Sequence, residues 1–398
     1  MRKSTKSIKT IISVFLVLAV TLNPALADNP QPRKIYSGWL PYYSMKTSLP
    51  AALNNIDLMR EIMPFWYTLK YNSNKVNITD LYTPANPSVP ISQPLSSMKS
   101  AGLLIIPTIT DGTDKLVLAN LIATDTGRTM AVDAIVNLVT QNNFDGIDLD
   151  FENFAFVDGN TSWDKTKPNW LLFVQLLSSK LHEIGKLLSI TSPYMLDPAS
   201  GKKGYYVYAW AEIAPLIDRL RIMTYDYSVA NPGPIGPITW TENTVKYATS
   251  IMPASKVFVG LAGYGRDWVV KVDGICPSDV AKTVTPSAKA ATFIMSNAAT
   301  LAAGYGATIN YNDTFQEATF TYQKIYNGNT ATGLATTCTA TRTAWYQDAR
   351  AYQARAQLVA KYRLGGLVAW TIGFEDQQAM SNMRNLALTI APDQILSN

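Results

Sequence analysis

The densest chemistry in this chain lies in eight residues, Asp145-Gly-Ile-Asp148-Leu-Asp150-Phe-Glu152. In an extended strand side chains alternate between faces, so Asp148, Asp150 and Glu152 share one side while Ile147, Leu149 and Phe151 take the other. Two carboxylates about 4 Å apart repel by on the order of 4 kcal/mol at an effective dielectric near 20, equivalent to about three pKa units. The row therefore cannot be fully ionised, and at least one proton must be shared along it. Glu152, nearest the open end of the strand, is the expected holder of the raised pKa. A carboxyl still protonated at neutral pH is what a general acid needs to protonate a departing alcohol. An acidic row can also hold Mg²⁺ or Ca²⁺, but no separate ligand cluster accompanies this one, and neither a metal nor another cofactor is expected. The apolar residues at alternate positions argue against a strand solvated on both faces.

Such a row needs a rigid frame. Short apolar segments recur at residues 35–43, 61–69, 103–110, 144–152, 187–194, 220–227, 256–264 and 365–373, with room for a helix between them. This is the sequence form of βα units, and eight of them predict an α/β fold, a (β/α)8 barrel with its active site at the carboxyl ends of the strands. Between two of the segments, Trp170, Phe173, Val174, Leu177 and Leu181 fall at three- and four-residue spacing, a helix covering the barrel. One interval breaks the rhythm: about eighty residues separate Tyr264 from the helical pattern at 348–362, far more than a βα loop uses. Alternating stretches at 318–323 and 343–347 and an alanine-rich stretch at 287–303 make it a small α+β insertion between strand seven and helix seven, drawn at 269–345. Such an insertion can wall one side of a substrate cleft.

Cys276 and Cys338, the only two cysteines, stand near the ends of that insertion. In an exported protein a disulfide between them can persist and would contribute about 4 kcal/mol in the chain-entropy model; two buried free thiols are the alternative. The single histidine, His182, belongs to a surface helix, and its solitude excludes Ser-His-Asp triads and multi-histidine metal sites.

Export is expected from the first residues. Arg2, Lys3, Lys6 and Lys9 precede an apolar run from Ile11 to Val20, and Ala25-Leu26-Ala27 follows as a cleavage site. The run is roughly half of the 20 apolar residues that a membrane span needs, so residues 1–27 read as a signal peptide and no membrane anchor is expected after cleavage. These residues carry four of the positive charges and no negative one, so the net charge of +5 falls to +1, and nothing argues for nucleic acid as a partner. Residues 28–398 would form the barrel, expected as a secreted, extracellular or wall-associated monomer.

The acidic segment resembles the DxxDxDxE signature of glycoside hydrolase family 18, the chitinase family, and falls on the fourth strand as that family requires. Met223-Thr-Tyr225-Asp226-Tyr227 resembles its sixth strand, Gly263-Tyr-Gly-Arg266 its seventh, and Gly365-Gly-Leu-Val-Ala-Trp370 its last. Gly38-Trp-Leu-Pro-Tyr-Tyr, Pro64-Phe-Trp-Tyr and Trp345-Tyr-Gln-Asp348 look closest to a bacterial branch that includes spore-cortex and cell-wall glucosaminidases. The resemblance implies a polysaccharide partner, chitin, peptidoglycan or a related oligosaccharide, cut at β-1,4 linkages with retention. It implies Glu152 as the acid, Asp150 as holder of the substrate acetamide nitrogen, Asp148 as buffer to Asp150, Asp145 as support of the preceding turn and Tyr225 as donor to the acetamide carbonyl. Met223, Asp226 and Arg266 would surround the same sugar, and Trp370 would be its stacking floor, with Trp39 and Phe65 matching pocket positions loosely. In this family the substrate's own 2-acetamido group replaces the nucleophilic carboxylate of most retaining glycosidases. A catalytically inactive, sugar-binding relative is the alternative, and its usual mark is loss of the acid that Glu152 supplies here. Cleavage of N-glycan cores is a third reading.

Overall fold

A computed structural model describes residues 33–390. The signal peptide expected at 1–27 lies outside the described residues. Fifteen strands are present among the described residues: β1 (Tyr36–Pro41), β2 (Glu61–Asn72), β3 (Lys75–Asp80), β4 (Leu104–Ile105), β5 (Thr108–Asp111), β6 (Gly146–Asp150), β7 (Leu187–Pro193), β8 (Arg219–Met223), β9 (Val257–Ala262), β10 (Tyr264–Gly274), β11 (Ala291–Ile294), β12 (Asn310–Asn312), β13 (Glu317–Asn329), β14 (Ala335–Tyr346) and β15 (Gly366–Trp370).

The order β1-β15-β9-β8-β7-β6-β5-β2 runs parallel throughout and closes because β1 also pairs with β2, giving the (β/α)8 barrel. The third barrel strand is divided into β4 and β5 at Ile106-Pro107, where proline has no N–H to give to the ladder. Period-two alternation sorts the side chains. Ile147, Leu149, Leu188, Ile190, Leu220, Ile222, Val257 and Val259 point outward and are fully buried under the helices. The interior is divided: Trp39, Met63, Phe258 and Val368 form an apolar half, while Asp148, Ser189, Thr191, Arg219, Arg221 and Glu61 fill the other half with buried polar groups.

The helix Trp163–Glu183 buries Trp170, Phe173, Val174, Leu177 and Leu181, the face read from their spacing. Helices Ala349–Tyr362 and Gln377–Ala387 begin at Asp348 and Asp376, whose carboxylates accept from the backbone N–H three residues on, at 2.9 and 2.8 Å. Two features depart from the regular pattern. β2 runs beyond the barrel and turns into β3 as an antiparallel hairpin. Between β7 and β8 only short turns and the four-residue helix Trp210–Ile213 occur, so this side of the barrel carries loops that reach the cleft.

The interval after strand seven is a second sheet, ordered β11-β10-β14-β13-β12 and antiparallel, with helix Ala298–Gly304 against it. It begins at Tyr264 rather than near residue 269, because β10 starts only one residue after β9 ends. A disulfide joins Cys276 to Cys338, with Cα atoms 4.7 Å apart, so the bridged alternative is the one present.

Glu317, at the start of β13, ties this sheet to the barrel. Its carboxylate accepts from the backbone N–H groups of Ile235 (2.6 Å) and Gly236 (2.8 Å), from Gln347 Nε2 (3.2 Å) and from Arg355 Nη2 (2.8 Å), all without solvent exposure at Glu317 and Arg355. Removing one member of a buried ion pair leaves the other charge uncompensated. Glu317→Ala is therefore expected to lower the unfolding free energy by about 3–5 kcal/mol, measured by urea denaturation; a wild-type midpoint would refute the tie.

Candidate active site

β6 delivers the acidic row. Asp148 is fully buried: its Oδ1 accepts from Ser189 Oγ (2.6 Å), and its Oδ2 from Thr108 Oγ1 (2.9 Å), Thr191 Oγ1 (3.0 Å) and Trp39 Nε1 (3.3 Å). Two residues on, Asp150 ends the strand at the base of the cleft, and Glu152 begins the short helix Asn153–Phe156 at its rim. Two contacts fix this turn. Asn153 Nδ2 donates to the carbonyls of Thr113 (2.7 Å) and Asp111 (3.3 Å), and Tyr208 Oη donates to the Phe151 carbonyl (2.7 Å).

Burial pushes the Asp150 carboxyl well above the usual carboxylate range, with the charges of Glu152 and Asp148 adding to it. Burial also raises Glu152, and Asp226 adds to this, but the hydrogen bond from Asp150 works in the other direction. That bond stabilises protonated Asp150 and ionised Glu152. Asp150 and Glu152 are thus both raised, and the pair shares the proton that the sequence assigns to Glu152. The physical reason is desolvation, the largest cause at both residues, which disfavours two charges side by side in the barrel mouth.

β8 ends at Met223, and Tyr225 and Asp226 follow it. The Tyr225 ring lies against Gly260, where an added Cβ would come 2.9 Å from its Cε1, so glycine on β9 makes room for it. Burial raises the Tyr225 hydroxyl well above its usual pKa, so it stays a donor. Asp226 adopts a left-handed conformation (φ 58°) and its Oδ1 accepts from Arg266 Nε (3.1 Å), Arg266 Nη2 (2.6 Å) and the Tyr264 hydroxyl. Arg266 and Tyr264 belong to β10, so the insertion sheet holds in place a residue that follows the barrel's sixth strand.

Trp370 ends β15. Its ring is braced edge-on by Trp39 (centroids 5.8 Å apart) and Phe65 (4.9 Å). Trp39 is only 1% exposed, so its surface is spent beneath Trp370 and on Asp148. Asp145, expected to support the turn before the row and grouped with the substrate-binding residues, lies away from the cleft. It precedes β6 at the opposite end of the strand, where its Oδ2 accepts from the Ile105 N–H (2.8 Å), about 16 Å of strand away from Asp150. It joins two strands and does not line the cleft.

The cleft has a volume of about 1070 Å³ and brings together Asp150, Glu152, Met223, Tyr225, Asp226, Arg266, Trp370, Trp39 and Phe65. The sequence reading missed several of its walls. Tyr43 follows β1, Phe156 and Tyr205 come from the loops after β6 and β7, and Phe293 and Asn297 come from the insertion. Tyr43 and Tyr205 sit in loops, and Phe156, Phe293 and Asn297 in elements of three or four residues, too short to show a period; Tyr194, one residue past β7, could have been read from its place at a strand end.

A pair of carboxyls with raised pKa values at the carboxyl end of a parallel barrel, under an aromatic cleft, defines a barrel glycosidase. The chain belongs to glycosyl hydrolases family 18, whose model matches residues 37–375. It is 27% identical over 254 residues, 63% of this chain, to Bacillus subtilis (strain 168) YdhD, whose name assigns it to the sporulation-specific glycosylases, and spans about half, 52%, of that relative's length. It is 24% identical over 336 residues to the cortical fragment-lytic enzyme of Bacillus anthracis, covering 83% of this chain and 70% of that one. Its fold matches the crystal structure of a chitinase from Chromobacterium violaceum ATCC 12472, with a TM-score of 0.69 and 23% identity, over 90% of this chain and 99% of the other.

Proposed function

We propose that the protein hydrolyses β-1,4-linked polymers containing N-acetylglucosamine, with retention of configuration and with the substrate's acetamide as nucleophile. The observation that carries this reading is the Asp150–Glu152 pair, which holds one proton beside Tyr225 in a cleft whose remaining acid, Asp226, is engaged by Arg266 and Tyr264. In the proposed first step the proton of the pair leaves through Glu152 to the glycosidic oxygen as the bond from C1 breaks. The acetamide oxygen closes on C1, forming an oxazolinium ion whose N–H is received by the Asp150 carboxylate and whose oxygen side is met by Tyr225. Water then attacks C1, the ring reopens, and its proton returns to Glu152. Asp148 lies beneath them, Met223 and Arg266 border the same sugar, and Trp370 carries its apolar face, braced by Phe65 and Trp39.

The names of the relatives support a cell-wall glycan as substrate, and the chitinase fold match adds none beyond the fold. Export through residues 1–27 belongs to the same proposal. Mass spectrometry of products from purified cell-wall sacculi and from colloidal chitin tests it. Soluble N-acetylglucosamine-terminated fragments are expected from sacculi at least; binding to both polymers without any release would instead establish a sugar-binding protein.

A further inference from the structure

Beneath the acidic row lies a buried charge cluster that glycosidic cleavage does not itself require. Arg221, on β8, is 0% exposed, and its Nη2 donates to Glu61 Oε1 (2.7 Å) while Arg219 Nε donates to Glu61 Oε2 (3.1 Å). Arg221 Nε stands 3.6 Å from Asp148 Oδ1, and neither its Nε nor its Nη1 has a hydrogen-bond partner. The Phe258 ring of β9 covers the guanidinium at 4.9 Å. Arg60 and Lys256 lie nearby at the closed end, beside Arg219. One carboxylate, Glu61, faces two arginines; Asp218 stands beside Lys256 at the closed end, and Asp148 is the carboxylate beside the Arg221 Nε. An unbalanced buried charge is costly, and Asp148 is placed to compensate Arg221. Both of its oxygens are already occupied by donors from β1, β5 and β7, and one of these, the Trp39 N–H, can only donate.

We propose that Arg221, seated on Glu61, is a positioning residue that fixes Asp148 as a permanent anion and so confines the mobile proton of the row to Asp150 and Glu152. The inference rests on the roles proposed above for that pair. Its ingredients are particular side chains inside the barrel, and it acts at a distance: Arg221 touches neither the cleft nor a bound sugar. The groups that face the pair from the other side are Asp226 with Arg266, and the hydroxyls of Tyr225 and Tyr208.

The cluster then sets the pH range of activity, because the charge beneath the pair shifts both of its protonation steps together. Glu61→Gln removes an anion and keeps one carbonyl oxygen to accept from an arginine, while its amide NH2 stands where the other oxygen accepted. Both limbs of the kcat/KM profile on an N-acetylglucosamine oligomer are expected to move to lower pH by about one unit, the effect of one charge on the order of 10 Å away at an effective dielectric near 20. Arg221→Met is expected to move them the opposite way, and Arg221→Lys to restore the wild-type profile. A residue that merely packs would lower activity evenly across pH. If the Glu61→Gln profile superimposes on the wild type while Glu152→Gln is inactive, the inference is overturned and the catalytic reading stands; an active Glu152→Gln removes both. Glu61→Gln decides the matter even where Arg221→Met does not fold.

Discussion

Glu152→Gln is expected to fold as the wild type does and to turn substrate over roughly 10²–10⁴-fold more slowly, the range associated with a lost general acid. Glutamine keeps the shape of the side chain at the cleft rim but can neither receive the proton of Asp150 nor pass it on. Stability should not suffer. A carboxyl whose pKa is raised on folding opposes the folded state at pH values above that pKa, and Glu152 is such a group, so the variant should melt at or above the wild-type temperature. Circular dichroism and oligosaccharide kinetics measured on the same preparation separate folding from chemistry. A kcat within tenfold of wild type would remove Glu152 from the reaction.

The second large effect concerns the substrate. A chitosan oligomer with a free amine on the sugar at the cleavage position is expected to bind along Trp370 and remain uncut, because an amine cannot close an oxazolinium ring. A thiazoline that mimics the ring should inhibit far more strongly than a simple sugar, as ligands resembling the transition state do. Tyr225→Phe should weaken both turnover and thiazoline binding, since the hydroxyl lies in the cleft as a donor. Proton NMR of fresh products is expected to show the β anomer first. Efficient cleavage at deacetylated sugars, or an inverted product, would overturn the acetamide mechanism.

The barrel was legible because parallel strands buried on both faces write themselves as apolar runs, and the loops between them leave room for helices. All eight segments contain a barrel strand, although the third is broken by Pro107. The acidic row, Tyr225, Asp226, Arg266 and Trp370 were legible for a related reason: they stand at strand ends, where position in the fold follows from position in the strand. What was not legible depends on packing across sequence distance. The hairpin of β2 and β3 is built partly from polar residues such as Lys75, Asn77 and Asp80 and has no apolar run to announce it. Asp145 shares the motif but not the cleft, because a strand several residues long places its two ends on opposite faces of the barrel. That Asp150 is raised along with Glu152 depends on burial, which no spacing encodes, and the Arg221–Glu61 pair joins residues 160 positions apart.

One more consequence follows from the single residue, Gly263, that separates β9 from β10. The floor and one wall of the groove are a continuous piece of backbone, and the wall is further secured by Glu317, Gln347 and the Arg266–Asp226 pair. Such a wall has no hinge about which to swing. The groove is thus shaped before a glycan arrives: little binding free energy is diverted into ordering it, and product departure does not wait for that wall to open. Selectivity among glycans then falls to the loops on the facing side, after β6 and β7, where Phe156 and Tyr205 meet whatever side groups the sugar chain carries.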